Sequence, residues 1–285
     1  MLVMRDAFAP DLLTAFNIMS LCSGDPEVFS GARLHFVELP AEATPALLDV
    51  VRAAVSPARR ERLERFRRPM DILRGACGEL LAREALAREV GVSPPVVEFG
   101  ATDSGKPTAN VPRAFNVAHS GRFVVCATGG TGVGVDVEEH RPQSPATARL
   151  VFTAAEMAEW EELGAAAREE YFYLRWTLKE SFVKATGQGL AVPFERLQIL
   201  TDGKVYTWVE APWLVAREFV LAQGYTCSLC VTRPEPFPAT AEPGGVCQLE
   251  RRARVPSEAE RTIGRAGSGV PFADRSRMGI RMPGG

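Results

Sequence analysis

The residues that could do chemistry fall into an acidic set and a basic set. Asp136 and Glu138 stand two apart in the apolar run Gly132-Val133-Gly134-Val135-Asp136-Val137-Glu138, and the two-residue period of a strand turns both carboxylates to one face. A third carboxylate lies in Trp176-Thr177-Leu178-Lys179-Glu180-Ser181-Phe182-Val183-Lys184, where Trp176, Glu180 and Lys184, each four apart, share one face of a helix. If Glu180 comes within about 5 Å of Asp136 and Glu138, each pair repels by roughly 3 kcal/mol at an effective dielectric of 20. Such a cluster demands a cation or a proton. All-oxygen donors with no accompanying His or Cys cluster suit Mg²⁺, which keeps waters and shares its other positions with phosphate oxygens. Plainer readings exist: a surface Glu-Lys pair worth about 0.3–0.5 kcal/mol, and two acids that solvate an exposed strand end.

The basic set is Arg59, Arg62, Arg74, Lys106 after Gly105, His119 and Lys184. It offers more anion-binding capacity than one salt bridge uses, and guanidinium forks suit phosphate. The alternatives are a solvated helix face for the arginines and a packed core position for His119. Ser104-Gly105-Lys106 is not a nucleotide P-loop, because neither GxxxxGK[ST] nor a strand-to-helix context surrounds it. Cys227-Ser228-Leu229-Cys230 sits in an apolar, strand-like stretch without a second CxxC or paired histidines, so packing accounts for it.

The elements that must position these groups are legible in outline. Glu170 to Ala185 has no Pro or Gly and reads as a helix stopped by Gly187. Upstream, the pattern predicts a strand over Leu34–Leu39, a helix over Pro45–Ala54, and a helix begun by Ser56-Pro57 with Leu63 and Phe66 on its packing side. A helix over Asp71–Glu89 follows, with Arg74 in its first turn and a stop at Gly91. Strands are expected at Val96–Phe99, Phe115–Gly121, Phe123–Ala127 and Gly132–Glu138, with a tight turn at Ser104-Gly105-Lys106-Pro107. Helices over Thr153–Leu163 and Ala165–Ala185 precede strands near Phe194–Leu200, Val205–Val209, Arg217–Ala222 and Tyr225–Thr232. This order predicts an α+β protein of two similarly built halves, residues 32–130 and 131–233. Residues 1–31 form an extension of no assigned role. Residues 234–285, rich in Pro, Gly, Ala and Arg, read as a disordered tail.

Composition sets the limits. The chain has 285 residues, 46% hydrophobic and 24% charged, with a formal net charge of −2, which suits a soluble globular protein and gives no reason to expect nucleic-acid or membrane binding. Its six cysteines form no framework, no signal peptide is evident, and no apolar run approaches the ~20 residues of a membrane span. A reduced, cytoplasmic protein is the expectation.

Together, Gly134-Val135-Asp136-Val137-Glu138 and Trp176-x-x-Lys179-Glu180-Ser181-Phe182-x-Lys184-x-x-Gly187-x-Gly189-Leu190 resemble the two signature motifs of the 4'-phosphopantetheinyl transferases. Phe115-Asn116-Val117-Ala118-His119-Ser120-Gly121 and Gly105-Lys106-Pro107 resemble that family's upstream motifs. The resemblance runs from about Leu34 to Pro234 and points to the larger, monomeric, surfactin-type class, with two α/β halves related by a pseudo-twofold axis. It implies transfer of phosphopantetheine from coenzyme A to a serine of an apo carrier protein. Asp136, Glu138 and Glu180 then correspond to Mg²⁺ ligands, Glu180 also to a base, and Lys184 to a phosphate contact. His119, Arg59, Arg62 and Arg74 correspond to the 3'-phosphate and nucleotide end, Gly105 and Lys106 to the turn against the adenylate, and Trp176 to a prop for its helix. Ala118 stands where the family often has serine, which removes one hydroxyl. The carrier protein is expected near residues 141–160, with Arg141 and Arg149. A silent coenzyme A or carrier-protein binder and a Mg²⁺-dependent nucleotide hydrolase are the alternatives.

Overall fold

The computed structural model describes residues 19–21, 32–102, 106–189, 192–203 and 205–233. The 234–285 tail, Gly105, and residues 1–18 and 22–31 of the extension lie outside them. The described residues fall within one compact unit. No helix among the described residues is long and apolar enough to cross a membrane.

The first half begins with strands β1 (Met19–Leu21) and β2 (Arg33–Glu38), then helices α1 (Pro45–Ala54), α2 (Pro57–Leu63) and α3 (Pro69–Val90). A 3₁₀ turn (Pro94–Val96) leads to β3 (Phe99–Ala101), β4 (Pro107–Ala109), β5 (Ala114–Ser120) and β6 (Phe123–Gly129). The second half has β7 (Val133–Glu139), α4 (Pro145–Arg149), α5 (Ala154–Glu162), α6 (Ala165–Thr186), a 3₁₀ turn (Phe194–Arg196), β8 (Ile199–Thr201), β9 (Tyr206–Trp208), β10 (Ala211–Phe219) and β11 (Tyr225–Thr232). From β2 and from β7 the same order therefore unfolds twice. The sheets agree: β1-β2-β6-β5 in one and β7-β11-β10-β9-β8 in the other, all neighbours antiparallel, with β3-β4 a separate hairpin.

Helix boundaries follow the chain's own punctuation. Ser56 Oγ caps α2 by accepting from the Arg59 amide at 3.2 Å, and Thr153 and Glu156 close a reciprocal capping box on α5. Gly91 and Gly187 end α3 and α6 with φ of 74° and 73°, a left-handed turn that glycine takes without a Cβ penalty.

Both faces of each main sheet are covered. Helices α1–α3 bury Leu48, Val51, Leu73 and Leu80 against Val37, Val124 and Cys126 of the first sheet. Its opposite face (Leu34, Phe36, Val125, Ala127) packs on Val133, Val135, Val137 and Leu229 of the second sheet. Helix α6 covers the far face of that sheet, where Thr177 and Ser228 share a buried hydroxyl bond of 2.7 Å. The layers run helix, sheet, sheet, helix. Each fully buried Val or Leu in them is worth about 1.5–3 kcal/mol.

Some expectations need correction. Val96–Phe99 is mostly not strand: Pro94 and Pro95 open a 3₁₀ turn, and β3 starts at Phe99. Phe194–Leu200 likewise begins as a 3₁₀ turn before β8. Strand β10 starts at Ala211, through a register shift between Ala211 and Val215, rather than at Arg217. Arg74 falls in the second turn of α3, because Pro69 already opens the helix. Phe66 is 42% exposed rather than packed. Met19–Leu21 pairs with β2, so part of the extension is a strand of the first sheet.

Candidate functional site

The site is built on a close approach that only glycine permits. A Cβ at Gly134 of β7 would overlap the Ser181 carbonyl oxygen and the Ala185 amide of α6. With no Cβ there, α6 lies against the strand, and Glu180 and Lys184 arrive beside the next residues on that face, Asp136 and Glu138. Lys184 Nζ donates to Asp136 Oδ1 at 2.6 Å. The Trp176 ring packs on Phe172 and Phe194, and its indole lies near enough to Glu138 to favour the charged carboxylate. Trp176 therefore packs its helix against Phe194, beside an acid.

The acids repel one another in a poorly solvated place. Burial, then the charge of Asp136, pushes Glu138 up from 4.5 to about 8 and Glu180 up to about 7. Burial also raises Asp136 against the pull of Lys184. The lysine's own pKa is raised, since Asp136 and Glu180 outweigh its burial, so the proton stays on Lys184 and the contact is an ion pair. Asp136 Oδ2 remains buried without a hydrogen-bond partner. Among the described residues no three His, Cys, Asp or Glu side chains are gathered tightly enough to enclose a metal; the three acids surround an ammonium instead. An orphaned buried carboxylate oxygen, mutual repulsion and an all-oxygen donor set fit a hard divalent cation.

The first half contributes the other wall. His119 is exposed, and desolvation, then the charges of Arg74 and Lys184, lower it from 6.5 to about 4. Arg74 is buried, with Nε donating to Gly121 O at 2.8 Å and Nη1 to Asp71 Oδ1 at 2.7 Å. Lys106 Nζ donates to the Lys184 carbonyl at 2.9 Å, which brings the β3–β4 hairpin to the end of α6. The structure thus gathers Arg74, Lys106, His119, Asp136, Glu138, Glu180 and Lys184. It does not join Arg59 or Arg62 to them: Arg59 Nε pairs with Glu79 Oε2 at 3.3 Å, and Arg62 is exposed on α2. Ala118 is buried in the core between the sheets. Arg141 pairs with Glu139 at 2.6 Å, and Arg149 is exposed.

Three contributors were not evident from residue types alone. Ser120 Oγ donates to Glu138 Oε2 at 2.7 Å. Asn116 Oδ1 accepts from the Val135 amide at 2.9 Å. Tyr225 Oη donates to Glu139 Oε1 at 2.9 Å and sits so close to Gly121 that a Cβ there would overlap it. The available signal was that Asn116 and Ser120 stand four apart, on one face of a strand. Lys179, beside Glu180, is fully buried and donates to Val151 O, Glu156 Oε2 and Phe194 O at 2.8, 2.6 and 3.0 Å. All three of its N–H groups are used, so it fastens α6 to the start of α5 and the 3₁₀ turn. Cys227 and Cys230 are buried free thiols, as packing requires.

Comparison with known proteins agrees with this geometry. Residues 132–230 match the 4'-phosphopantetheinyl transferase superfamily model, and residues 42–131 match a model described as 4'-phosphopantetheinyl transferase, N-terminal. A 4'-phosphopantetheinyl transferase of Bacillus subtilis is 31% identical over 193 residues, covering 66% of this chain and 86% of the relative. The 4'-phosphopantetheinyl transferase Sfp of Bacillus subtilis strain 168 is 30% identical, over 65% of this chain and 84% of its own length. The 4'-phosphopantetheinyl transferase gsp of Aneurinibacillus migulanus is 28% identical, over 68% and 84%.

Proposed function

The chain belongs to the 4'-phosphopantetheinyl transferase family, and we propose that it transfers the 4'-phosphopantetheine group of coenzyme A to a serine of an apo carrier protein. The serine oxygen forms a bond to the phosphorus of the arm, the pyrophosphate P–O bond breaks, and adenosine 3',5'-bisphosphate leaves. The observation that carries this reading is the set of three carboxylates around Lys184, one with an unsatisfied buried oxygen. Asp136, Glu138 and Glu180 would hold Mg²⁺, which when bound neutralises charge on the pyrophosphate.

The chain's own groups do the rest. Lys184 keeps its proton and spends one N–H on Asp136, leaving donors for a phosphate oxygen. Glu180, half-buried and raised to about 7, is matched to accept the serine proton near neutral pH. Neutral His119 offers a donor to the 3'-phosphate, and Arg74, fixed by Gly121 and Asp71, supplies charge behind it. Arg59 and Arg62, which lie apart from this wall on α2, would serve the nucleotide end, and Gly105 and Lys106 would serve the adenylate. Residues 32–130 and 131–233 act as the two halves of one monomer. The net charge of −2 gives no pull toward nucleic acid or membrane, and the cytoplasm is the expected compartment. The carrier protein docks beside residues 141–160, where Arg149 is exposed.

Incubation with coenzyme A, Mg²⁺ and a panel of apo carrier proteins tests the proposal by intact-mass spectrometry. The expected product is a carrier heavier by one phosphopantetheine arm. Release of nucleotide with no carrier present, or tight binding with no mass gain across the panel, would overturn it.

A further inference from the structure

Strands β5 and β7 belong to different sheets, so no backbone ladder joins them, and two side chains of β5 do so instead. Asn116 Oδ1 accepts from the Val135 amide at 2.9 Å, and Ser120 Oγ accepts from the Glu139 amide at 3.1 Å. Each partner lies 19 positions ahead, so along this seam the two strands run side by side in the same direction. Asn116 and Ser120 are equivalent as stitches, yet only Ser120 does a second thing. Its hydroxyl hydrogen goes to Glu138 Oε2 at 2.7 Å.

We propose that Ser120 is a positioning residue of the transfer site, aiming the Glu138 carboxylate for the divalent cation; this rests on Glu138 being a cation ligand. Strand β7 fixes only the Glu138 backbone. Its flexible side chain is held by a donor from another element, Ser120 of β5. A carboxylate has about four acceptor sites, so this bond orients it and leaves capacity for a cation. Because Ser120 belongs to the first half and Glu138 to the second, the geometry of the acid set depends on the seam between the sheets.

The test titrates the full chain with Mn²⁺ as a probe, following the free-ion signal by electron paramagnetic resonance, for the wild type, Ser120→Ala, Ser120→Thr and Asn116→Ala. Loss of an outer-shell partner weakens metal binding about 10-fold or more, so Ser120→Ala should show that loss while Ser120→Thr, which keeps the hydroxyl, stays within about threefold of wild type. Asn116→Ala removes the other stitch and should lower the melting temperature without changing Mn²⁺ affinity. In the transfer assay the half-saturating Mg²⁺ concentration of Ser120→Ala should rise in parallel, with the rate at saturating Mg²⁺ nearly kept. Wild-type Mn²⁺ affinity in Ser120→Ala would overturn the role, as would equal weakening in Asn116→Ala, which would assign the effect to the seam alone. A wild-type chain that binds no Mn²⁺ would overturn the cation-ligand reading and the positioning role with it.

Discussion

The two halves pass through the same elements in the same order, yet only the second carries the acid set. His35 of β2 faces Cys126, the fourth residue of β6, as Asp136 of β7 faces Ser228, the fourth residue of β11. Counted back from the stop glycines Gly91 and Gly187, Glu84 and Arg88 of α3 stand where Glu180 and Lys184 stand in α6, and Arg83 where Lys179 stands. In the first half the place is filled from within. His35 Nε2 and Thr128 Oγ1 are 3.3 Å apart, Thr128 bonds Glu89, and Arg113 pairs with Glu89 at 3.3 Å. In the second half Lys184 likewise pairs with Asp136 at 2.6 Å, but Asp136 Oδ2 is left with neither a hydrogen bond nor an ion pair, whereas Glu89 Oε2, also without a hydrogen bond, faces Arg113. The same frame therefore holds a structural cluster where each carboxylate oxygen meets a donor or a cation, and a candidate binding site where one meets neither.

Neutralising the acids should break the symmetry most visibly. Asp136→Asn keeps the shape but removes the charge, and transfer to a carrier protein should fall about 10²–10³-fold, the cost of removing a group that stabilises developing charge. Glu180→Gln should fall comparably. At the matching place, His35→Asn should leave the loading rate nearly unchanged while altering the melting temperature. Time courses of carrier loading check this, and an Asp136→Asn variant at wild-type speed would remove the functional difference between the halves.

The inward-facing cations offer a finer contrast, since half-buried Arg83 and fully buried Lys179 do similar mechanical work. Arg83 donates to Ala54 O at 3.3 Å and to Glu79 Oε1 at 2.6 Å, beside the cap of α2. Lys179 reaches Val151 O and Glu156 beside the cap of α5. Lys179→Met leaves Glu156 to Arg175 and the Thr153 amide, but it also takes the donor from two backbone carbonyls, Val151 O and Phe194 O, and should cost about 3–5 kcal/mol in urea unfolding. Arg83→Met should cost less, about 1–3 kcal/mol, because it gives up one backbone carbonyl, Ala54 O, while Arg59 and the Ser56 amide and hydroxyl still hold Glu79. A second change, Glu156→Gln, should recover part of the Lys179→Met loss. Reversal of the ranking would show that the two residues are not counterparts.

How much of this could be read beforehand depended on how local each cause was. Helix ends were legible because caps are local: Ser56-Pro57, Thr153 with Glu156, Gly91 and Gly187 each act within one turn. The common face of Asp136 and Glu138, and that of Trp176, Glu180 and Lys184, followed from strand and helix periods, and the resemblance supplied their pairing. The 3₁₀ turns at Pro94 and Phe194 were misread because short apolar runs do not separate strand from turn by period alone. Lys179 could not be read at all, since its partners Val151, Glu156 and Phe194 are distant in the chain. Ser120 was hidden for the same reason: a serine beside a histidine gives no sign of which sheet it faces.

Proton linkage gives the smallest effect, and here the lowered histidines and the raised carboxylates of the acid set should differ in sign. His35 is lowered to about 4, as is His119, so the unfolded chain binds more protons between about pH 4 and 6.5, and these groups add stability as pH rises through that window. Glu138 and Glu180 are raised to about 8 and about 7 from 4.5. Their contribution is fully present below 4.5 and is lost as pH rises through 7 and 8. Between pH 6.5 and 8 only the carboxylates act, and there the metal-free protein should become less stable. A divalent cation competes with those same protons. Mg²⁺ at ten times its dissociation constant adds about 1.4 kcal/mol, which at about 2–4 °C per kcal/mol amounts to about 3–6 °C in melting temperature. That gain should be present at pH 8, shrink below pH 6, and vanish in Asp136→Asn while surviving in His35→Asn. Thermal scans with and without Mg²⁺ at the two pH values decide it, and an equal gain at both would mean that the ion is not held by the raised carboxylates.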